Sequence, residues 1–265
     1  MRWDLPDANR IGLYLRAERA WGLDAVRGKS AAESPPQNGP TPPKPTPVAT
    51  PGDLFAAAPD EPFDGPVLAT SEKARRLDEL NDSQVSVCRK CRLCQSRTHT
   101  VFGEGDPDAR IVFVGEGPGE TEDRTGRPFV GRAGELLDKM ISAMGLERRQ
   151  VYIANLVKCR PPGNRTPAPD ESEACAAYLV EQLRIIRPRV IVTLGLPATR
   201  YFTGSTLAMG RLRGQWHLWR GIKVLPTYHP AYLLRNYTAE TRAAVWSDLK
   251  KVMAELGLER GQRGV

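Results

Sequence analysis

Two kinds of apolar run alternate along most of the chain. Short runs at Ile111–Val114 (IVFV), Val151–Val157 (VYIANLV) and Val190–Leu194 (VIVTL) have the length and β-branched content of strands. Between them, Ser71–Leu80, Gly134–Met144 and Asp170–Ile186 place apolar residues at helical spacing, and a last helix is predicted from about Ala239 to Leu256. Trp216–Tyr228 reads as a hairpin about Arg220-Gly221. Strands alternating with helices predict an α/β sandwich around a mainly parallel sheet. Ligands of such sheets sit beyond the carboxyl ends of the strands. The loops after IVFV, VYIANLV and VLPTY should therefore face one cleft.

The pattern fails near the start. Of the 23 prolines, 11 fall between Ala31 and Pro66, among few aliphatic residues, so residues 31–70 are expected to form a flexible proline-rich linker. Ahead of it, within residues 1–30, Ile11, Tyr14, Leu15, Trp21 and Ala25 lie near one face of a short helix whose stripe Glu18 interrupts. That stripe is a candidate recruiting surface for a replication or repair protein; the alternative is that it packs on its own domain or stays disordered. Residues 71–265 then form the folded domain.

Charge sharpens this division. The net charge is +7, yet residues 1–70 carry 7 basic and 9 acidic side chains, so the positive balance belongs to the folded part. A basic domain permits a polyanionic partner such as nucleic acid. No charged-then-apolar leader and no membrane-length apolar run occur, which predicts a cytoplasmic protein. In a reducing compartment clustered cysteines favour metal over disulfides. Three of the five cysteines stand in CRKCRLC (Cys88, Cys91, Cys94), with Cys159 after a strand and Cys175 in a helix that Asp170 and Glu173 should cap. Four thiolates suffice for zinc or an iron–sulfur cluster. The long gap to Cys159 and Cys175 disfavours a zinc ribbon, and spacing alone allows either Cys88/Cys91 or Cys91/Cys94 as the proximal pair.

Candidate chemistry gathers at the predicted cleft. The turn Gly115-Glu116-Gly117-Pro118-Gly119 brings backbone amides near a ligand, but it lacks the GK[ST] of a phosphate loop and the third glycine of a dinucleotide fingerprint. Phe129, Asn155 and His229 join it. Together they supply a stacking face, an amide that donates and accepts, and an imidazole able to hydrogen-bond a developing oxyanion, which suits a planar heterocycle. The three histidines, His99, His217 and His229, are not spaced as ligands of a zinc nuclease.

Assembled, these motifs resemble the family 4, iron–sulfur branch of the uracil-DNA glycosylase superfamily. The likeness runs from about Ser86 to Leu256 through CRKCRLCQSRTHTVFGEG, GEGPGETEDRTGRPFVGRAG, YIANLVKCRPPGNRTP and HPAYLLRN. It implies a three-layer α/β/α sandwich with a central four-stranded sheet, a monomer, and hydrolysis of the glycosidic bond of a uracil flipped out of DNA. It further implies a structural 4Fe-4S cluster on Cys88, Cys91, Cys159 and Cys175, with Cys94 spare. Phe129 would stack on the base, Asn155 would read the edge that separates uracil from cytosine, and Gly115, Gly117, Val130 and Gly131 would complete the pocket wall. His229 would stabilise the departing base. Leu234 would fill the vacated stack and Arg235 would hold phosphate. Glu116 stands where a related family carries a water-orienting aspartate, so it could orient water, stabilise the sugar cation or brace its loop. A DNA-trapping relative bonds covalently to DNA through a histidine in an inserted loop; the corresponding RPPGNRTPAPDESEA here has none, which predicts turnover. The contrasting reading is a non-catalytic DNA-binding module, which these four site residues argue against.

Overall fold

The computed structural model describes residues 61–258. The amphipathic stripe and most of the proline-rich segment lie outside them. Eight helices are described: α1 (Thr70–Leu80), α2 (Glu120–Thr125), α3 (Arg132–Ala143), α4 (Pro169–Ile186), α5 (Leu196–Thr203), α6 (Met209–Leu212), α7 (Pro230–Arg235) and α8 (Ala239–Glu255). The strands are β1 (Glu104–Gly105), β2 (Ile111–Gly115), β3 (Tyr152–Asn155), β4 (Val190–Leu194), β5 (His217–Trp219) and β6 (Ile222–Thr227).

The strands form one six-stranded sheet in the order β1-β3-β2-β4-β6-β5. Its four central strands are parallel, whereas β1 and β5 pair antiparallel at the two edges. The expected four-stranded sheet is thus the parallel core of a larger one. β1 escapes a pattern-based reading because two residues, Glu104 and Gly105, carry no alternation, and β5 is the outer arm of the predicted hairpin.

Alternate residues of the parallel strands feed two cores. Val112, Val114 and Ile191 face α1, α4 and α5, meeting Leu77, Leu179, Leu183 and Ala198. Ile111, Phe113, Val190 and Val192 face α3 and α8, meeting Leu137, Met140, Trp246 and Leu249. This is the three-layer arrangement, and it explains why β2 and β4 are buried at every position: both faces are covered. Trp246, fully buried in α8, contributes about 2–3 kcal/mol by removing its ring from water.

Helix α4 begins one residue before its predicted start, with Pro169 in the first turn. Its cap differs too: Glu171, not Glu173, reaches back to the Ala168 amide at 2.7 Å. Ahead of α1, Phe63 packs edge-on against Trp219 at 5.7 Å, and the Arg187 guanidinium donates to the carbonyls of Phe63 and Asp64.

Chain order places β3 on one side of β2 and β4 on the other. The crevice at the carboxyl ends of β2 and β4 is therefore a topological switch point, where open α/β sheets bind ligands.

Candidate active site

A cleft of about 720 Å³ opens at that switch point. Its wall comes from Glu116, Gly117 and Pro118 after β2, Asn155 at the end of β3, Asn164–Pro167 beyond it, Gly195 after β4, and Tyr228, His229 and Arg235 after β6. The three loops predicted to share a cleft do so.

Asn155 is the most telling residue. It ends β3 and is 1% exposed, yet neither its Nδ2 nor its Oδ1 finds a hydrogen-bond partner in the protein. A buried amide without partners costs roughly 1–3 kcal/mol, so such a group marks a place where a ligand completes the pairing. Its backbone is well anchored: the buried Lys158 ammonium donates to the Asn155 carbonyl at 3.0 Å and to Gln182 Oε1 at 2.6 Å. Burial lowers the Lys158 pKa to about 8. Gly115 lies beneath; a Cβ there would come within 2.5 Å of both Asn155 Oδ1 and Phe129 Cζ. Only glycine lets amide and ring stand this close.

Phe129 holds a left-handed backbone, φ 48°, rare for a bulky residue. The turn is clamped from both sides. Arg148 donates to the carbonyls of Phe129 at 3.1 Å and Pro128 at 2.5 Å, while Glu122 Oε1 accepts from the amides of Val130 at 2.9 Å and Gly131 at 2.8 Å. Val130 and Gly131, expected in the pocket wall, are not among the residues that line the cleft, and their amides donate to Glu122, which is. Neither clamp residue carries a sequence signal, since each works through backbone 8 to 20 residues away.

His229 caps α7, its Nδ1 accepting from the Ala231 amide at 3.0 Å, with Pro230 supplying the fixed φ of the first turn. Burial, reinforced by Arg235, lowers its pKa to about 4. The ring is neutral at pH 7, and because Nδ1 accepts, Nε2 carries the proton. It lies 5.6 Å from the Phe129 ring. Glu116 is partly buried at the turn, and that burial raises its pKa, opposed by the Thr166 hydroxyl on the same cleft wall. Arg235 lines the cleft and Leu234 stands beside it on α7, 36% exposed.

The cysteines gather apart from this cleft. All five are unbonded, and all five line one cavity with Lys90, Arg97, Lys158 and Tyr178. Among the described residues no group of three or more His, Cys, Asp or Glu stands in single-ion geometry. The donors nonetheless suit a metal–sulfur cluster. Arg97 donates to Cys159 Sγ at 3.1 Å and the Lys158 amide to Cys175 Sγ at 3.2 Å, and such N–H contacts stabilise charge on sulfur. Burial pushes the Cys175 thiol up to about 11, an ionisation that a bound metal would compensate. Cys94 lines the same cavity, so lining alone does not separate it from the other four.

Fold, switch-point cleft and unpaired amide together define an enzyme-like pocket for a planar polar ring. The Uracil DNA glycosylase superfamily matches residues 102–250, and the chain belongs to that superfamily. Its relatives include the Type-4 uracil-DNA glycosylase of Thermotoga maritima, 51% identical over 66% of this chain and 92% of the relative. The proteins of the same name from Sulfurisphaera tokodaii and Saccharolobus solfataricus are 48% and 46% identical, over 66% and 68% of this chain and 83% and 86% of theirs. These matches place the chain with the type-4 branch. No described helix is long and apolar enough to cross a membrane.

Proposed function

We propose that this protein is a uracil-DNA glycosylase: it takes uracil out of DNA and hydrolyses its N-glycosidic bond, leaving an abasic site that base excision repair then fills. The observation that carries the reading is the buried, unpartnered amide of Asn155. An amide donates and accepts at once, which matches a carbonyl beside an imide N–H; cytosine presents the reverse pattern and leaves both partners unpaired. Phe129 stacks on the extruded base.

The leaving uracil gathers negative charge on its carbonyl oxygen as the glycosidic bond lengthens. In this reading the Nε2–H of neutral His229 hydrogen-bonds that oxygen, stabilising charge that exists only near the transition state. A neutral donor suits this role, because an imidazolium would transfer its proton rather than hold the bond. Glu116, facing the same cleft, orients the attacking water or offsets the positive charge of the sugar. Arg235 holds backbone phosphate and Leu234 enters the gap left in the stack.

Cys88, Cys91, Cys159 and Cys175 hold a 4Fe-4S cluster in this reading. When bound, it supplies a rigid crosslink between the segment around Cys88 and the loop after β3. Arg97 and the Lys158 amide support the sulfurs, and Lys158 fixes the Asn155 carbonyl.

The protein is expected to act as a monomer in the cytoplasm. The amphipathic stripe near Ile11 and Trp21 would recruit a replication or repair protein. Deleting residues 1–66 should then weaken binding to that protein, and unchanged binding would count against recruitment.

A 5′-labelled oligonucleotide with one deoxyuridine tests the function. The reading predicts an intact strand that breaks at the uracil position only after alkali. A break without alkali would indicate a nuclease, and no break in either case a binding module.

A further inference from the structure

Glu171 is fully buried, yet it is not among the residues that line the cleft. Its carboxylate collects four donors from three residues on two segments. Arg92, between Cys91 and Cys94, donates to Oε1 at 2.7 Å. Arg165 binds in a fork, to Oε1 at 2.6 Å and Oε2 at 2.7 Å, and the Ala168 amide donates to Oε2 at 2.7 Å. A forked guanidinium fixes orientation as well as distance. Arg165 also donates to the Thr166 carbonyl at 3.0 Å, and Thr166 lines the cleft together with Glu116. A set of polar contacts therefore runs from the cysteine loop to Thr166, on the wall of the cleft that also holds Glu116.

We propose that Glu171 is a positioning residue that couples the cysteine loop to Glu116 by holding Arg92, Arg165 and the Ala168 amide on one buried carboxylate and so fixing Thr166 against Glu116. The segment it holds, residues 161–168, includes a 3-10 turn with Gly163 and Asn164 at positive φ, of 64° and 56°. Contacts within so short a turn are few, and its placement is imposed from outside. The tie also gives the cysteine loop a route to the cleft that does not pass through the sheet. The kinetic part of this inference rests on the uracil-DNA glycosylase reading.

The test compares Glu171→Gln, which keeps the shape and removes the charge, with Arg92→Met, which cuts only the cysteine-loop side. Each is made alone and with Glu116→Gln, in full-length protein of measured iron content. Glu171→Gln is expected to lower kcat at least tenfold with KM within threefold, and Arg92→Met to lower it less. Both losses should shrink to near zero in the Glu116→Gln background, because residues acting through one group are not additive. Losses that persist undiminished there, or that track loss of iron, would overturn the proposal. Hydrogen exchange gives a second arm that needs no activity. Residues 161–168 should exchange at least tenfold faster in Glu171→Gln and measurably faster in Arg92→Met. Unchanged exchange in both overturns the coupling even if wild type proves inactive on uracil, an outcome that would separately end the glycosylase reading.

Discussion

Replacing Asn155 with leucine separates a ligand-reading amide from a structural one. A structural asparagine would be hydrogen-bonded within the fold, and losing it would cost stability. Asn155 is buried with both amide atoms unpaired in the protein, so its side chain subtracts roughly 1–3 kcal/mol from the folded state. Leucine is close in size and carries no polar atoms. Asn155→Leu should therefore unfold in urea at an equal or higher midpoint, raising stability by up to about 1–3 kcal/mol. Uracil excision should move the other way. Two hydrogen bonds to the base edge, each about 1–1.5 kcal/mol in a water-excluded pocket, correspond to a loss of roughly 10²-fold in kcat/KM, and more if the imide N–H is left buried and unpaired. The assays are urea unfolding followed by fluorescence and single-turnover excision on the same preparations. A variant destabilised by several kcal/mol that still excises uracil at the wild-type rate would refute the reasoning.

Other residues make independent predictions. Gly115→Ala puts a methyl within 2.5 Å of Asn155 Oδ1 and Phe129 Cζ, so excision should fall at least tenfold while the far-UV circular dichroism spectrum is retained. His229 has a folded pKa of about 4 against an ordinary 6.5, so the unfolded chain binds its proton first. Stability should then fall as pH drops from 6.5 towards 4, by at most about 3 kcal/mol because the ring is partly open to the cleft. The fall should be smaller in His229→Gln, as chemical denaturation at several pH values would show. Cys159→Ser should lose iron and the visible absorbance of the cluster and melt at lower temperature, whereas Cys94→Ser should keep both, as iron assay and thermal melting would report.

How much was legible in the sequence follows from the length scale of each signal. β2, β4, α4 and α8 were readable nearly to the residue, because short runs dominated by β-branched residues or more than four helical turns leave little ambiguity. The short helices α2, α5, α6 and α7 span 4 to 8 residues, too few for a period to show. The β3 run was read one residue too early and two too far: after Asn155 the chain leaves the sheet while staying buried, and burial alone keeps it apolar. At the site, chemistry-bearing residues were visible by type and motif, and they converge as the alternating pattern implied. Their supports were not visible. Arg148, Glu122, Lys158 and Glu171 each hold backbone or side-chain partners distant in sequence, and nothing local distinguishes them from surface charges until the fold brings those partners to them.

The most direct test of the central claim is to measure free base released from DNA carrying a single uracil by stoichiometric, cluster-loaded protein, beside matched DNA carrying cytosine at that position. The account predicts one equivalent of free uracil per strand, no cytosine, and a matching number of abasic sites. DNA that is bound but yields no free base would contradict it and leave a protein that recognises DNA without acting on it.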